Sequence, residues 1–217
     1  MITLTRIVKL MTDPLVPTVP KTVLHVGCGA PNPDKLHRAF RGPDWQEIRL
    51  DIDPAVQPDI VASMLDMAMI ADARFDALYS SHNIEHLYPH EVAVALREFC
   101  RVLKDDGLAL ITCPDLQAVA ALIAEGKLEE PAYVSPAGPI AALDMVYGHR
   151  ASLARGNLFM AHRTGFTQRS LAQQLIASGF ARASVQRDVP HFNLWAVAWK
   201  PRHPEVLKAL AEPAAAP

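Results

Sequence analysis

The sequence predicts an α/β protein: a doubly wound, mostly parallel seven-stranded sheet carrying a helical lid insertion. Three observations lead there. Short apolar, β-branched runs alternate with helix-period segments from residue 21 to about 114. The first run stops at a Gly27-Cys28-Gly29 turn. Two further β-rich runs follow a well-capped helix near the end of the patterned region.

The elements follow in order. Residues 1–20 form a lead-in in which Asp13-Pro14, Val16-Pro17 and Val19-Pro20 exclude a continuing helix. Residues 22–26 are the first strand, 47–51 the second, 59–62 the third, 75–80 the fourth and 108–113 the fifth, which Pro114 stops. Runs this short and apolar suit strands covered on both faces. A helix starts with Pro89 in its first turn, turns Val92, Leu96, Phe99 and Leu103 inward, and ends at Asp105-Asp106-Gly107. Residues 117–125 read as a helix, 131–139 as a loop and 140–147 as a short helix. Together residues 115–165 break the alternation, as lids over functional sites do. Thr167 caps a last helix with Leu171, Leu175 and Ile176 inward and Gly179 beyond its end. Residues 183–188 and 192–200 complete the sheet, and 201–217 read as a frayed tail. The domain therefore spans residues 21–200.

Composition narrows the function. Half of the 217 residues are hydrophobic and a fifth charged, so the chain can build a core without staples. The net charge of −2 gives no general reason to bind nucleic acid or an anionic membrane. Cys28, Cys100 and Cys113 form no CxxC pair, so neither disulfides nor a zinc knuckle is expected, and Cys28 and Cys113 read as small buried hydrophobes. No run reaches the apolar length of a membrane span, and no signal peptide is evident. A cytoplasmic location is the expectation.

The chemistry gathers at the strand ends. Gly27 and Gly29 let the backbone turn tightly against a ligand, and Asp51, at the end of the next strand, can accept both hydroxyls of a ribose. A dinucleotide needs a third glycine, yet Ala30-Pro31-Asn32-Pro33 follows; no GxxxxGK[ST] loop exists either. A nucleoside without phosphates fits better.

The ordered set LHVGCGAP, RLDIDP, PDIVASMLDM, FDALYSSHNIEHL, REFCRVLKDDGLALITCPD and SGFARASV resembles the class I S-adenosylmethionine-dependent methyltransferases, of the small-molecule type. The resemblance is strong over residues 21–114 and looser over 162–199. It implies a Rossmann-like methyltransferase fold and S-adenosylmethionine as cofactor. Val26, Gly27, Cys28 and Gly29 would line its methionine part, Asp51 would hold the ribose, and Ile52 would cover one adenine face. The backbone at Met64 and Leu65 would meet the adenine edge, while Ser81 and His82 would face the sulfonium and the acceptor. The chain departs from the family pattern at His25, Pro31 and Ser63. Those departures support the alternative of a non-catalytic binder of the same cofactor.

His82-Asn83-Ile84-Glu85-His86 also matches HxxEH, the spacing of inverted zinc peptidases, a lesser alternative. No third-ligand motif follows, so no metal is expected; Glu85 and His86 are read as packing the next helix. His82 is a candidate proton acceptor, since an ordinary histidine pKa of about 6.5 suits that work. The lid is expected to wall the acceptor pocket, with Phe159 and Met160 over it and His162 reaching towards His82 as a second catalytic group. Its alternative is a static insertion that buttresses the sheet or makes a dimer contact. The acceptor is expected to be a small molecule.

Overall fold

A computed structural model describes residues 19–200; the expectations for the lead-in before residue 19 and for the tail from residue 201 lie outside the described residues. Strands β1 (Lys21–Val26), β2 (Trp45–Asp51), β3 (Ile60–Val61), β4 (Phe75–Ser81), β5 (Leu103–Pro114), β8 (Arg182–Asp188) and β9 (Asn193–Trp199) form one seven-stranded sheet. Their order is β3-β2-β1-β4-β5-β9-β8. The first five are mutually parallel, and β9 pairs antiparallel with both β5 and β8. This is the expected doubly wound, mostly parallel arrangement. The chain reverses direction across the sheet between β1 and β4, and at such a switch point the strand ends leave a crevice.

One sheet face carries the helices. Helix α1 (Pro89–Val102) sends Val92, Ala95, Leu96, Phe99 and Val102 into the core, with Tyr88 N–H donating to Glu91 Oε2 at 2.8 Å to close its first turn. Helix α5 (Gln168–Ala177) adds Leu171 and Leu175, both fully buried, and Thr167 Oγ1 accepts from Ser170 N–H at 3.2 Å. Ile176, expected inward, is half exposed, because the buried stripe passes through 171 and 175, one turn apart. On the opposite face, Val23, Leu36, Phe40, Ala77, Tyr79, Leu110 and Val197 form a second cluster. No α-helix lies between β1 and β2. Pro31 and Pro33 disfavour a helical backbone just before them, and only a single 3-10 turn, Arg38–Phe40, forms before Trp45.

Three expectations are corrected. The fifth strand begins at Leu103 rather than 108, directly after α1; an irregularity between Phe75 and Ala77 and the left-handed backbone of Asp106 (φ +67°) absorb the Asp-Asp-Gly segment. Residues 131–139 are not a loop but the start of a hairpin, β6 (Pro131–Ser135) with β7 (Gly138–Ala141). The short helix begins only at residue 142, after Ile140 and Ala141 have paired as strand.

The insertion holds α2 (Leu116–Ala124), this hairpin, α3 (Ala142–Tyr147) and α4 (Arg150–Ala154). Asp115, fully buried, caps α2 through Gln117 and Ala118 N–H and receives Arg187 Nε from β8 at 2.5 Å. Asp144 accepts from Ala141 N–H, Arg150 N–H and Arg150 Nε. Burial opposes its charge, yet Arg150 and those amides outweigh it and hold its pKa at about 2. A depressed carboxylate stabilises the fold above its unfolded pKa near 3.9 and loses that contribution as pH falls towards 2. Chemical denaturation at pH 7 and pH 3 is expected to show a loss of stability that Asp144→Asn reduces by about 1 kcal/mol. An unchanged pH slope in the variant contradicts it.

Candidate active site

The first strand ends by handing its chain across to β2. Gly27 N–H and Cys28 N–H both donate to Leu50 O, at 2.8 and 3.2 Å. Gly27 and Gly29 take left-handed backbone angles, φ +66° and +60°, open to glycine at little cost. Asp51 then fixes the loop from the other side: Oδ2 accepts Gly29 N–H at 2.8 Å and Oδ1 accepts Asp53 N–H at 3.0 Å. A carboxylate has about four acceptor positions, so two remain for a ligand. Arg49 reinforces the loop by donating to Gly29 O at 2.5 Å and Gln57 O at 2.8 Å.

At the end of β4, His82 adopts φ +55°, uncommon for a residue with a Cβ. The kink is held by His82 N–H donating to Thr112 O at 2.9 Å and by the hydroxyl pair Ser81–Thr112 at 2.8 Å. Asn83, which sequence reasoning passed over, is the keystone. Its Nδ2 donates to Val26 O and Ser81 O, each at 3.0 Å, and so joins the ends of β1 and β4. Its place between two histidines was the signal available.

These ends open on one cavity of about 610 Å³, a size suited to a small organic ligand. Val26, Gly27, Cys28, Gly29, Asp51, Ile52, Met64, Leu65, Ser81 and His82 all line it. Ile52 is half exposed there, and Leu65 N–H is turned by Ser63 Oγ at 3.2 Å. From the insertion come Asn157, Phe159, Met160 and Arg163. His25 is buried with Nδ1 2.6 Å from Glu47 Oε1 on the next strand. Burial keeps its pKa below the ordinary histidine value in spite of Glu47. Burial also raises the Cys28 and Cys113 thiols, which are therefore not thiolates at neutral pH.

His162 does not reach across to His82. Neighbouring residues of an extended segment point to opposite sides. Arg163 accordingly lines the large cavity, while His162 turns against His86, its Nδ1 bonded to Met145 O at 2.9 Å, and lines a neighbouring cavity of about 220 Å³. The bridge Gly148–Ala161 holds this course, and a Cβ on Gly148 would lie 1.9 Å from Met160 O. The peptidase reading fails on backbone shape. His82 is left-handed and Ile84–His86 is a 3-10 turn, so His82 and His86 do not share an α-helical face.

Residues 24–111 match the family model described as a methyltransferase domain. The fold and the strand-end cleft agree with that match. That stretch of the chain is similar to the methyltransferase-domain family. The chain is similar in fold to a protein of Methanosarcina mazei described as a SAM-dependent methyltransferase, with TM-score 0.55, 14% identity, and 85% of this chain and 94% of that one covered. It is also similar to a 1,6-didemethyltoxoflavin-N1-methyltransferase of Burkholderia thailandensis, solved with S-adenosylhomocysteine, with TM-score 0.52, 17% identity, and 84% and 72% covered. A third is described as a possible exported protein from Bordetella parapertussis, with TM-score 0.53 and 18% identity; 84% of this chain matches, and it spans 62% of that protein. No curated protein matches the sequence. No helix among the described residues is long and apolar enough to cross a membrane.

Proposed function

We propose that the domain transfers the cofactor's methyl group to a compact small molecule held between the strand-end cleft and the Asn157–Arg163 segment. The observation that carries this reading is convergence. The ends of β1, β2 and β4, the loop after β3 and one stretch of the insertion meet at a single cavity. The residues present fit the cofactor: the glycine pair lets the loop turn tightly at the cavity wall, where a Cβ would strike Asn83 and Lys35, and Asp51 keeps acceptor positions for a ribose. When bound, the cofactor supplies a methyl on a sulfonium centre, which an acceptor displaces in line. The chain's own work is positioning and exclusion of water, the larger part of the acceleration for such a transfer. Ile52 would cover one face of the adenine, and the backbone at Met64 and Leu65 would meet its edge. Ser81 and His82 would face the sulfonium side, with His82 taking a proton from acceptors that carry one. Phe159 and Met160 would cover the acceptor.

Removing the Asp51 carboxylate is expected to cost 1.5–3 kcal/mol of cofactor binding, roughly tenfold to a hundredfold in affinity. Calorimetry with S-adenosylhomocysteine on Asp51→Ala and Asp51→Asn reads this directly. Equal affinity in wild type and both variants removes the ribose assignment. The function itself is tested by incubating the protein with labelled S-adenosylmethionine and fractionated metabolite pools. Label appearing in a small molecule supports methyl transfer. Tight cofactor binding with no label in any fraction favours a non-catalytic binding protein instead.

A further inference from the structure

We propose that Glu85, His86 and His162 bind one divalent transition-metal ion of the zinc or iron type, beside the cofactor cleft. The three side chains each place one ligand atom within 4.8 Å of the others. Metal–nitrogen and metal–oxygen bonds of roughly 2.0–2.2 Å bring such ligand atoms to within about 3–3.5 Å of one another, so small side-chain rotations close the set.

Two independent features point to an ion. Glu85 is 1% exposed, and neither carboxylate oxygen has an aligned hydrogen-bond donor. His82 Nδ1 lies 3.2 Å from Oε1 as a charge contact alone and leaves the other oxygen unmet. A buried carboxylate without donors is costly, and a cation is what removes the cost. The second feature is how the histidines are held. His86 Nδ1 is 3.1 Å from Ala161 O, and His162 Nδ1 is 2.9 Å from Met145 O. A ring nitrogen facing a carbonyl must carry the hydrogen, so in both neutral rings the lone pair sits on Nε2. That is the orientation that backbone carbonyls impose on metal-binding histidines. The two rings lie edge-on, 5.0 Å apart and inclined at 62°.

The set is also held in place before any ion arrives. Glu85 O accepts Arg163 N–H at 2.9 Å and Thr164 N–H at 3.2 Å, so the insertion is sewn to the turn that carries Glu85 and His86. Two imidazoles and one carboxylate suit zinc, iron, cobalt or nickel rather than calcium or magnesium. Three protein ligands leave coordination positions open, as in catalytic rather than structural sites. His86 borders the cofactor cleft, whereas Glu85 and His162 border the smaller cavity, so the ion would stand at their junction. Binding of the ion stands apart from the methyl-transfer reading. Its use as a Lewis acid on an acceptor oxygen rests on that reading.

The test strips the full chain with a chelator and titrates it with Zn²⁺ and Co²⁺, followed by calorimetry and the visible spectrum of the cobalt form. The expected result is one ion per chain and an intense cobalt band that excess Zn²⁺ abolishes. His162→Ala and Glu85→Gln should each weaken binding beyond the roughly 10–100-fold that loss of an outer partner costs. Should a variant fail to fold, the wild-type cobalt spectrum still decides. No stoichiometric binding, a spectrum like that of free aqueous cobalt, or equal affinity in folded variants overturns the site. S-adenosylhomocysteine titrated into stripped protein keeps the two readings apart: cofactor binding without metal binding defeats only this one.

Discussion

Gly27→Ala is expected to reduce cofactor affinity by more than a hundredfold while the protein stays folded. A Cβ at this position would lie 2.1 Å from Asn83 Oδ1, and the φ of +66° adds strain of about 1 kcal/mol for a non-glycine residue. The clash cannot be relieved cheaply. Asn83 would have to release Val26 O and Ser81 O, the two carbonyls through which it joins β1 to β4. Each lost bond costs about 1 kcal/mol, and the freed carbonyls face a cleft built for the ligand. Calorimetry with S-adenosylhomocysteine measures the loss, and Gly27→Ala/Asn83→Gly tests its cause. Partial recovery in the double variant is expected if the clash dominates. An affinity within a few-fold of wild type for Gly27→Ala alone defeats the proposed placement of the cofactor.

The second large effect is on stability. Phe99→Ala should destabilise the fold by 3–5 kcal/mol, because the ring is fully buried between α1 and the sheet in the main core. For a domain of this size each kcal/mol moves the melting temperature by about 2–4 °C, so a fall of roughly 6–20 °C is expected. Thermal unfolding followed by circular dichroism measures it. A fall below about 3 °C would mean that α1 does not carry the core. Well below the melting point, affinity for S-adenosylhomocysteine should be close to wild type, since Phe99 does not itself line the cleft.

Local chemistry made much of this molecule legible. The run from Thr22 to Val26 ending in Gly27, the carboxylate at Asp51 and the apolar period of α1 each announce themselves within a dozen residues; the first two are where they were expected, and α1 starts at Pro89 as expected but ends at Val102, giving Leu103 to β5. Thr167 caps its helix because a short polar side chain there has few better uses. What stayed hidden is tertiary. Pro131 and Pro139 suggested a loop, but each sits on a two-stranded hairpin that does not demand an amide from every residue. The strand register of Leu103 needed knowledge of Phe75, its partner on β4. His162 misled for the same reason. Its position in the sequence placed it correctly in the insertion, yet its direction is set by Glu85 O, Met145 O and Gly148, none of which periodicity can see. The positive φ of His82 likewise depends on Thr112 from β5.

The antiparallel β9 sits inside the sheet, between β5 and β8, although it is the last of the described strands to be made. Biogenesis inherits a hazard from this. While a nascent chain has emerged only as far as α5, the outer edge of β5 from Leu108 to Pro114 offers its amides and carbonyls unpaired, on a strand that is almost wholly apolar. Such an edge is a template for pairing with other chains. Released chains truncated before residue 193 should therefore depend on chaperones or aggregate, and those extending past residue 199 should not. Release of the last strand from the exit tunnel is then the step that turns a sticky half-sheet into a soluble one.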